Sequence, residues 1–208
     1  MIQSNSQPSY PGIGAVVMAA GLSQRMGEPK MLLPWGNQTV IEKVVSTLLS
    51  TEVEEVVVVT GGVSDQIKTI LSSREVRVVF NPNYADGVML NSLRTGLTTL
   101  NQDLDAALIA LGDNPQIEEG VVEKIISEYK NVRSRLIVPS YDNRRGHPWL
   151  VDKSLWQPLI QWDNQLTLRD FLNFYKQDIH YLKVDSASVL MDLDTPDDYQ
   201  KQRPDFMK

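Results

Sequence analysis

The sequence predicts a three-layer α/β fold with a mainly parallel, mixed central sheet. Short β-branched apolar runs alternate with amphipathic stretches, most of the runs stop at glycine or at Asn-Pro, and 208 residues fit one ordinary domain. That alternation favours parallel strands, because each crossover must lie over the sheet and so places helices on its two faces. The hydrophobic share of 42% is that of a globular chain. A chain of this size buries on the order of 70% of its unfolded surface.

Residues 13–18 read as a buried strand ending near Gly21, and 39–49 as a helix with Val40, Ile41, Val44, Val45, Leu48 and Leu49 on one face. Residues 56–60 form a second strand stopped by Gly61-Gly62, 64–71 a helix capped by Ser64, and 76–80 a third strand closed by Asn81-Pro82. A helix over 91–100, a fourth strand over 106–111 ending at Gly112-Asp113, a helix over 117–129 and a fifth strand over 136–139 follow. Beyond Gly146, residues 149–151, 179–184 and 189–191 read as strands, 166–175 as a helix, and Pro196 opens a last helix at its favoured first position. Open sheets of this kind hold ligands beyond the carboxyl ends of their strands, which directs attention to the loops after Met18, Thr60, Phe80 and Leu111.

The net charge of −6 provides no global basic field for a nucleic acid, so a polyanionic ligand must be held by local cations, backbone donors or a metal. The absence of cysteine excludes disulfides, thiolate metal sites and cysteine nucleophiles, and fits a reducing cytoplasm. Residues 1–12, polar and rich in Ser, Gln and Pro, read as a disordered lead-in rather than a signal peptide. No run approaches the roughly 20 apolar residues that cross a bilayer, so no membrane partner is expected.

Directly after the first strand, Ala19-Ala20-Gly21 opens a polar turn that carries Ser23 and Arg25, closes at Gly27 and runs on to Lys30. Glycine allows backbone N–H groups to approach phosphate closely, and fixed cations neutralise the charge that builds during displacement. Arg25 can fork across two phosphate oxygens, whereas Lys30 is a mobile point charge. The spacing fits neither the P-loop nor the dinucleotide fingerprint. Asp113, at the end of the fourth strand, is placed to hold Mg²⁺, with Gly112 before it to admit a ligand. The alternation in Asp192-Leu193-Asp194 directs both carboxylates to one side of an extended segment. Asp194 has two readings, as a metal ligand or as the cap of the last helix.

The string Met18-Ala-Ala-Gly-Leu-Ser-Gln-Arg-Met-Gly-Glu-Pro-Lys-Met-Leu-Leu-Pro-Trp35 resembles the signature of the molybdopterin nucleotidyltransferases, above all the cytidylyltransferases of molybdenum cofactor. The resemblance extends from Val16 to about Tyr199 and implies a Rossmann-like nucleotide-diphospho-sugar transferase fold. It assigns triphosphate contacts to Arg25 and Lys30 and a metal ligand to Asp113, and sets the Asp192–Asp198 segment near the active site. Asn114 stands where that family usually has Met. Ala19-Ala20 looks like the cytidylyl version of the loop, since a side chain at position 20 narrows the space for a purine. Asn81-Pro82 through Ser92-Leu93-Arg94-Thr95-Gly96-Leu97 is similar to a stretch that borders the nucleotide there; Ser92 is read on base or ribose, and Arg94 as solvated on its helix face. Arg144-Arg145-Gly146-His147-Pro148 matches the family's Gly-His-Pro, which implies an acceptor-side role for His147 and makes Trp149 the best candidate for stacking. His180, Trp156 and Trp162 read as structural.

A single nucleotidyltransferase domain is therefore expected over 13–203, with a nucleotide-binding half over 13–140, an acceptor-side half over 141–203 and a tail over 204–208. Gly61 joins Ala19, Ala20, Gly21, Ser23, Gly27, Ser92 and Gly112 as expected nucleotide contacts. The expected reaction moves CMP from CTP to the phosphate of molybdopterin with Mg²⁺ as cofactor, and a molybdoenzyme or its chaperone is a possible partner. GTP or a sugar phosphate on the same fold, and a cofactor-binding chaperone without turnover, are the alternatives.

Overall fold

The computed structural model describes residues 11–204. The expected lead-in and tail therefore lie outside the described residues, apart from Pro11, Gly12 and Pro204. At Gly12 the chain is already engaged: its N–H donates to the Asp105 carboxylate at 3.0 Å, and its carbonyl accepts from the Asp105 N–H at 2.8 Å.

In chain order the elements are β1 (Ile13–Ala19), a small hairpin of β2 (Pro34–Trp35) and β3 (Gln38–Thr39), α1 (Val40–Leu49), β4 (Glu55–Thr60), α2 (Ser64–Ile70), β5 (Arg77–Phe80) and α3 (Met89–Thr99). There follow β6 (Ala106–Leu111), α4 (Glu119–Val132), β7 (Leu136–Tyr141), β8 (Arg144–Arg145), β9 (Trp149–Asp152), α5 (Trp156–Ile160), α6 (Leu168–Phe174), β10 (Ile179–Lys183) and α7 (Pro196–Gln202). The main sheet runs β10-β7-β9-β6-β1-β4-β5, with β8 paired to β7. All its pairings are parallel except those of β9 with β6 and β7 and of β8 with β7. The fold is thus α/β with a mostly parallel, mixed sheet.

Successive side chains of β1 serve opposite faces, as the two-residue period of a strand requires. Ala15 and Val17 enter the core that packs α1 and α4, through Ile41, Val44, Val122 and Ile125. Val16 and Met18 enter the other, through Leu93 and Leu97 of α3, Leu159 of α5 and Phe171 of α6. Gly96 lets α3 lie directly on β1, since a Cβ there would stand 2.2 Å from Val16 Cγ1. Its place in the sequence motif is explained by packing. Among the described residues no helix is long and apolar enough to cross a membrane.

Three local expectations are corrected. Ser64 is the first residue of α2, not its cap; Val63 holds the cap position, and Ser64 Oγ instead meets Thr60 Oγ1 at 2.8 Å. Residues 189–191 do not form a strand: Ala187–Leu190 is a 3-10 turn led by Ser186, whose hydroxyl accepts from the Ser188 N–H. The cap of α7 is Thr195, not Asp194. Thr195 accepts from the Asp198 N–H while the Asp198 carboxylate accepts from the Thr195 N–H, a reciprocal box with Pro196 at the first helical position. Asp194 is left available for other partners.

Candidate active site

Register sets the ends of four strands level. Met18 pairs with Leu111, Ala19 with Thr60, and Thr60 with Phe80, so the loops after β1, β4, β5 and β6 open on one edge of the sheet. β9 runs the other way and pairs Trp149 with Ile109, which brings the start of β9 to that same edge.

The loop after β1 turns at Ser23, whose carbonyl accepts from the N–H groups of Met26 and Gly27 at 3.0 and 3.2 Å. Ser23 takes a left-handed φ of 52° and Gly27 one of 75°, while nothing lies within 4 Å of the place a Gly21 side chain would occupy. Ser23 Oγ accepts from the Lys30 N–H at 3.2 Å, which fixes the far end of the loop. Met26, Leu33 and Trp35 are buried with Val40, Leu193 and Tyr199 in a small separate core, and Tyr199 Oη donates to the Pro34 carbonyl at 2.7 Å. The C-terminal segment is thereby fastened to the loop.

That fastening, with a bond from the Leu193 N–H to the Asp113 carbonyl at 3.2 Å, gathers the charged groups. Lys30 is buried; its Nζ contacts the Asp113 carboxylate directly and lies 3.6 Å from Asp194 Oδ1. Arg25 is exposed, with Nη2 2.8 Å from Asp194 Oδ2. Burial, then the neighbouring charges of Asp194 and Asp113, raise the Asp192 carboxyl above its ordinary pKa, and Lys30 acts in the opposite sense.

These groups line a cleft of about 770 Å³ that also takes in Ala20, Gly21, Ser23, Tyr84, Asp86, Met89 and Ser92. Ser92 Oγ accepts from the Asn81 side-chain amide at 3.0 Å. Four carboxylates face two cations there, so a triphosphate entering the cleft would add charge to a surplus of negative charge. Hard oxygen donors beside a phosphate site suit a small divalent cation, which takes one or two carboxylates and completes its shell with phosphate and water. Among the described residues no three His, Cys, Asp or Glu side chains form a ready-made metal cage. The residues fit such an ion.

Some expected contacts are placed elsewhere. Gly112 is not among the residues lining the cleft, and a Cβ there would meet Ala19 Cβ at 3.0 Å and Met31 Sδ at 3.1 Å, so its small size serves packing. Gly61 is covered by Tyr84, whose ring would lie 2.8 Å from an added Cβ. Asn114 is buried and turned away from the cleft, with Nδ2 3.3 Å from the Ser188 carbonyl. Arg94 is not solvated on its helix face. Its Nε donates to the Ile160 carbonyl at 2.7 Å, and its Nη atoms to the Trp162 carbonyl, Asn164 and Asn91. Tyr84 was not foreseen, although Asn-Pro followed by an aromatic residue at a strand end was a signal for it.

A second cleft of about 890 Å³ shares Gly87, Val88 and Met89 with the first. His147 and Trp149 line it, their rings stacked at 4.7 Å and 20°. The His147 N–H donates to the Val189 carbonyl at 2.8 Å, and Gly146 permits this crossing, since a Cβ there would stand 2.6 Å from Val189. Burial lowers the His147 pKa to about 4, so the imidazole is neutral at pH 7. Trp149 Nε1 is buried without a partner among the described residues. Trp156 bonds the Val151 carbonyl, Trp162 packs edge-on against Phe171, and His180 pairs with Glu128 at 2.8 Å.

An open α/β sheet that sets a cation-bearing loop against carboxylates at its carboxyl edge can hold a polyanion and a hard metal ion together, the architecture of a nucleotidyltransferase. Residues 15–180 match the MobA-like NTP transferase domain, and the chain belongs to that family. It is 28% identical over 188 residues to the molybdenum cofactor cytidylyltransferase of Escherichia coli (strain K12), covering 90% of this chain and 93% of that protein. It is also 28% identical over 151 residues to nicotine blue oxidoreductase of Paenarthrobacter nicotinovorans, covering 70% and 73%. Among solved structures it is similar to a nucleotidyl transferase from Methanothermobacter thermautotroptrophicus, with a TM-score of 0.79, 28% identity, and coverage of 92% of this chain and 96% of that one.

Proposed function

We propose that this protein transfers CMP from CTP to the phosphate of a molybdopterin-type acceptor and releases pyrophosphate. The observation that carries the reading is the meeting of two clefts at Gly87–Met89, one with paired cations and carboxylates, the other floored by stacked His147 and Trp149. The E. coli cytidylyltransferase relative supports the choice of base and acceptor, and Ala20 in the first cleft leaves less room for a purine than glycine would.

In this reading Gly21 and Ser23 bring the loop backbone to the triphosphate, while Arg25 and Lys30 exchange their carboxylate partners for phosphate oxygens. An oxygen of the acceptor phosphate attacks the α-phosphorus in line; the new P–O bond forms as the bond to the β-phosphate bridging oxygen breaks and leaves with pyrophosphate. The attacking phosphate is already ionised at neutral pH, so no general base is needed. Positioning and charge neutralisation supply the catalysis. Asp113 with one of Asp192 and Asp194 would hold Mg²⁺, which when bound neutralises charge on the phosphate oxygens. The neutral His147 imidazole orients the acceptor by hydrogen bonding, and Trp149 lies beneath its ring. A cysteine-free chain suits this work in the cytoplasm, with the product passed to a molybdoenzyme or its chaperone.

The test is pyrophosphate release from CTP, GTP, ATP and UTP, each with and without molybdopterin and Mg²⁺. Release with CTP and molybdopterin together supports the reading. Equal release with GTP would reassign the base, and tight binding without release would make the protein a carrier. The oxidoreductase relative adds one arm: NAD(P)H consumption in place of pyrophosphate release would overturn the transfer chemistry.

A further inference from the structure

Asn81 and Ser92 form a buried pair at the first cleft. Asp113 follows β6 and Asn81 follows β5, with β1 and β4 between those strands in the sheet. The pair is thus held from the side away from Asp113 and Lys30, which leaves it for the neutral end of a nucleotide. Asn81 is 1% exposed and Ser92 6%, and Ser92 lines the cleft together with Met18, Met89 and Leu111. A hydroxyl buried among apolar groups is costly unless its oxygen and its hydrogen both find partners.

The backbone sets the polarity of the pair. Asn81 Oδ1 accepts from the Asn83 N–H at 2.9 Å, and the Asn81 carbonyl accepts from the Tyr84 N–H at 3.2 Å. A backbone N–H can only donate, so Oδ1 faces Asn83 and the amide nitrogen faces Ser92. Nδ2 then donates to Ser92 Oγ at 3.0 Å, which uses the hydroxyl as acceptor and turns its hydrogen elsewhere.

The other hydroxyls of α3 direct their hydrogens into the helix. Thr95 donates to the Asn91 carbonyl at 2.9 Å, Thr98 to that of Arg94 at 2.8 Å and Thr99 to that of Thr95 at 2.7 Å. Ser92 makes no such bond, and among the described residues no acceptor takes its hydrogen. The cleft is where an acceptor can reach it.

We propose that Asn81 is a positioning residue that makes Ser92 a fixed donor into the cleft, so that the bound base must present a ring nitrogen or carbonyl oxygen there. On cytosine these are N3 and O2. The proposal rests on reading the first cleft as the CTP site. It goes beyond that reading by giving the base contact a polarity and naming the residue that sets it, because a serine without Asn81 could turn to donate or to accept.

The experiment is a double-mutant cycle read as binding, by calorimetry with Mg²⁺ and no acceptor. Asn81→Asp keeps the oxygen that receives the Asn83 N–H and sets a second oxygen against Ser92, which draws the hydroxyl hydrogen out of the cleft. CTP is compared with ribose 5-triphosphate, which has the sugar and the phosphates but no base, so the added charge affects both ligands and cancels in the ratio of their affinities. That ratio should fall about 3- to 10-fold in Ser92→Ala, the range of one neutral hydrogen bond, and about 10-fold or more in Asn81→Asp, where two acceptors face each other. Adding Asn81→Asp to Ser92→Ala should lower it no further. A further fall on that background would show that Asn81 acts through the fold and would overturn the proposal. So would an unchanged ratio in Ser92→Ala, which leaves Asn81 intact and decides the matter even if Asn81→Asp does not fold. Equal losses for the two ligands in Ser92→Ala would put the hydroxyl on the ribose, against the proposal. Should the wild type bind GTP more tightly than CTP, the choice of base fails, and the same cycle run with GTP still decides what Asn81 does.

Discussion

Lys30 and Arg25 occupy such different environments that replacing each with alanine should separate catalysis from stability. The Lys30 side chain is 11% exposed and sits between Asp113 and Asp194, whereas Arg25 is 69% exposed and, among the described residues, pairs with Asp194 alone. Removing one partner of a fully buried ion pair costs about 3–5 kcal/mol, because a desolvated charge is stranded. Asp113 remains 17% exposed, so partial hydration reduces this to about 1–3 kcal/mol for Lys30→Ala. An exposed pair contributes about 0–1 kcal/mol, which bounds Arg25→Ala. On the proposed reading both variants lose a cation that neutralises the triphosphate, an expected loss of about 10²–10³ in rate. Urea midpoints and kcat/KM for pyrophosphate release should therefore show two slow enzymes, only one of them unstable. Combining Lys30→Ala with Asp113→Asn removes the stranded charge and should restore the midpoint without restoring the rate. If Lys30→Ala lost stability but kept its rate, Lys30 would be a structural pin and the triphosphate assignment would be wrong.

Three further outcomes follow from the packing and electrostatics. Gly96→Ala should lower the urea midpoint, because overpacking against Val16 costs about 1–3 kcal/mol and exceeds the gain of about 1 kcal/mol in helix propensity; a stabilised variant would show that α3 can shift off β1. His147 has a folded pKa of about 4, below the usual value near 6.5, so between these limits the unfolded chain binds more protons. Its contribution is complete above about pH 6.5 and falls away toward pH 4, by at most about 3 kcal/mol, and the pH slope of stability should be shallower in His147→Phe than in wild type. Arg94→Ala should speed amide exchange over residues 160–166 and raise the acceptor KM more than the CTP KM, since Arg94 holds the carbonyls of Ile160 and Trp162 beside the second cleft. Equal effects on both KM values would place its influence on α3 itself.

The sheet and the loop after β1 were legible because their signals are local. Most of the β-branched runs stop at glycine or Asn-Pro, and Arg25 and Lys30 follow the end of β1 on one continuous loop. Asp113 could be found in the same way. Of the two readings open for Asp194, the cap falls away: α7 is capped one position on by Thr195, which with Asp198 three residues later carries the pattern of a capping box. What escaped sequence reading depends on contacts across long separations. Arg94 reaches carbonyls 66 and 68 residues away, and nothing near it marks those partners. Gly112 and Gly96 sit in motifs that border the cleft, yet the groups that require their small size, Ala19 with Met31 and Val16, belong to other elements. Arg144 and Arg145 were noticed as neighbours of Gly146, but their place beside Arg169 in the lining of the second cleft appears only in the folded chain.

The reversed strand β9 has a consequence for how substrate preference can change. Because it is hydrogen-bonded between β6 and β7, the chain after residue 141 shares one sheet with the chain before it. Exchanging that whole half between relatives would replace an interior strand, along with Leu150 and Val151, which are packed on both faces of the sheet. Changes that leave β9 and β10 in register are those in the turn 142–147 and on the cleft-facing side of α6. Diversification by loop grafting is open to this architecture, and diversification by domain shuffling is closed to it.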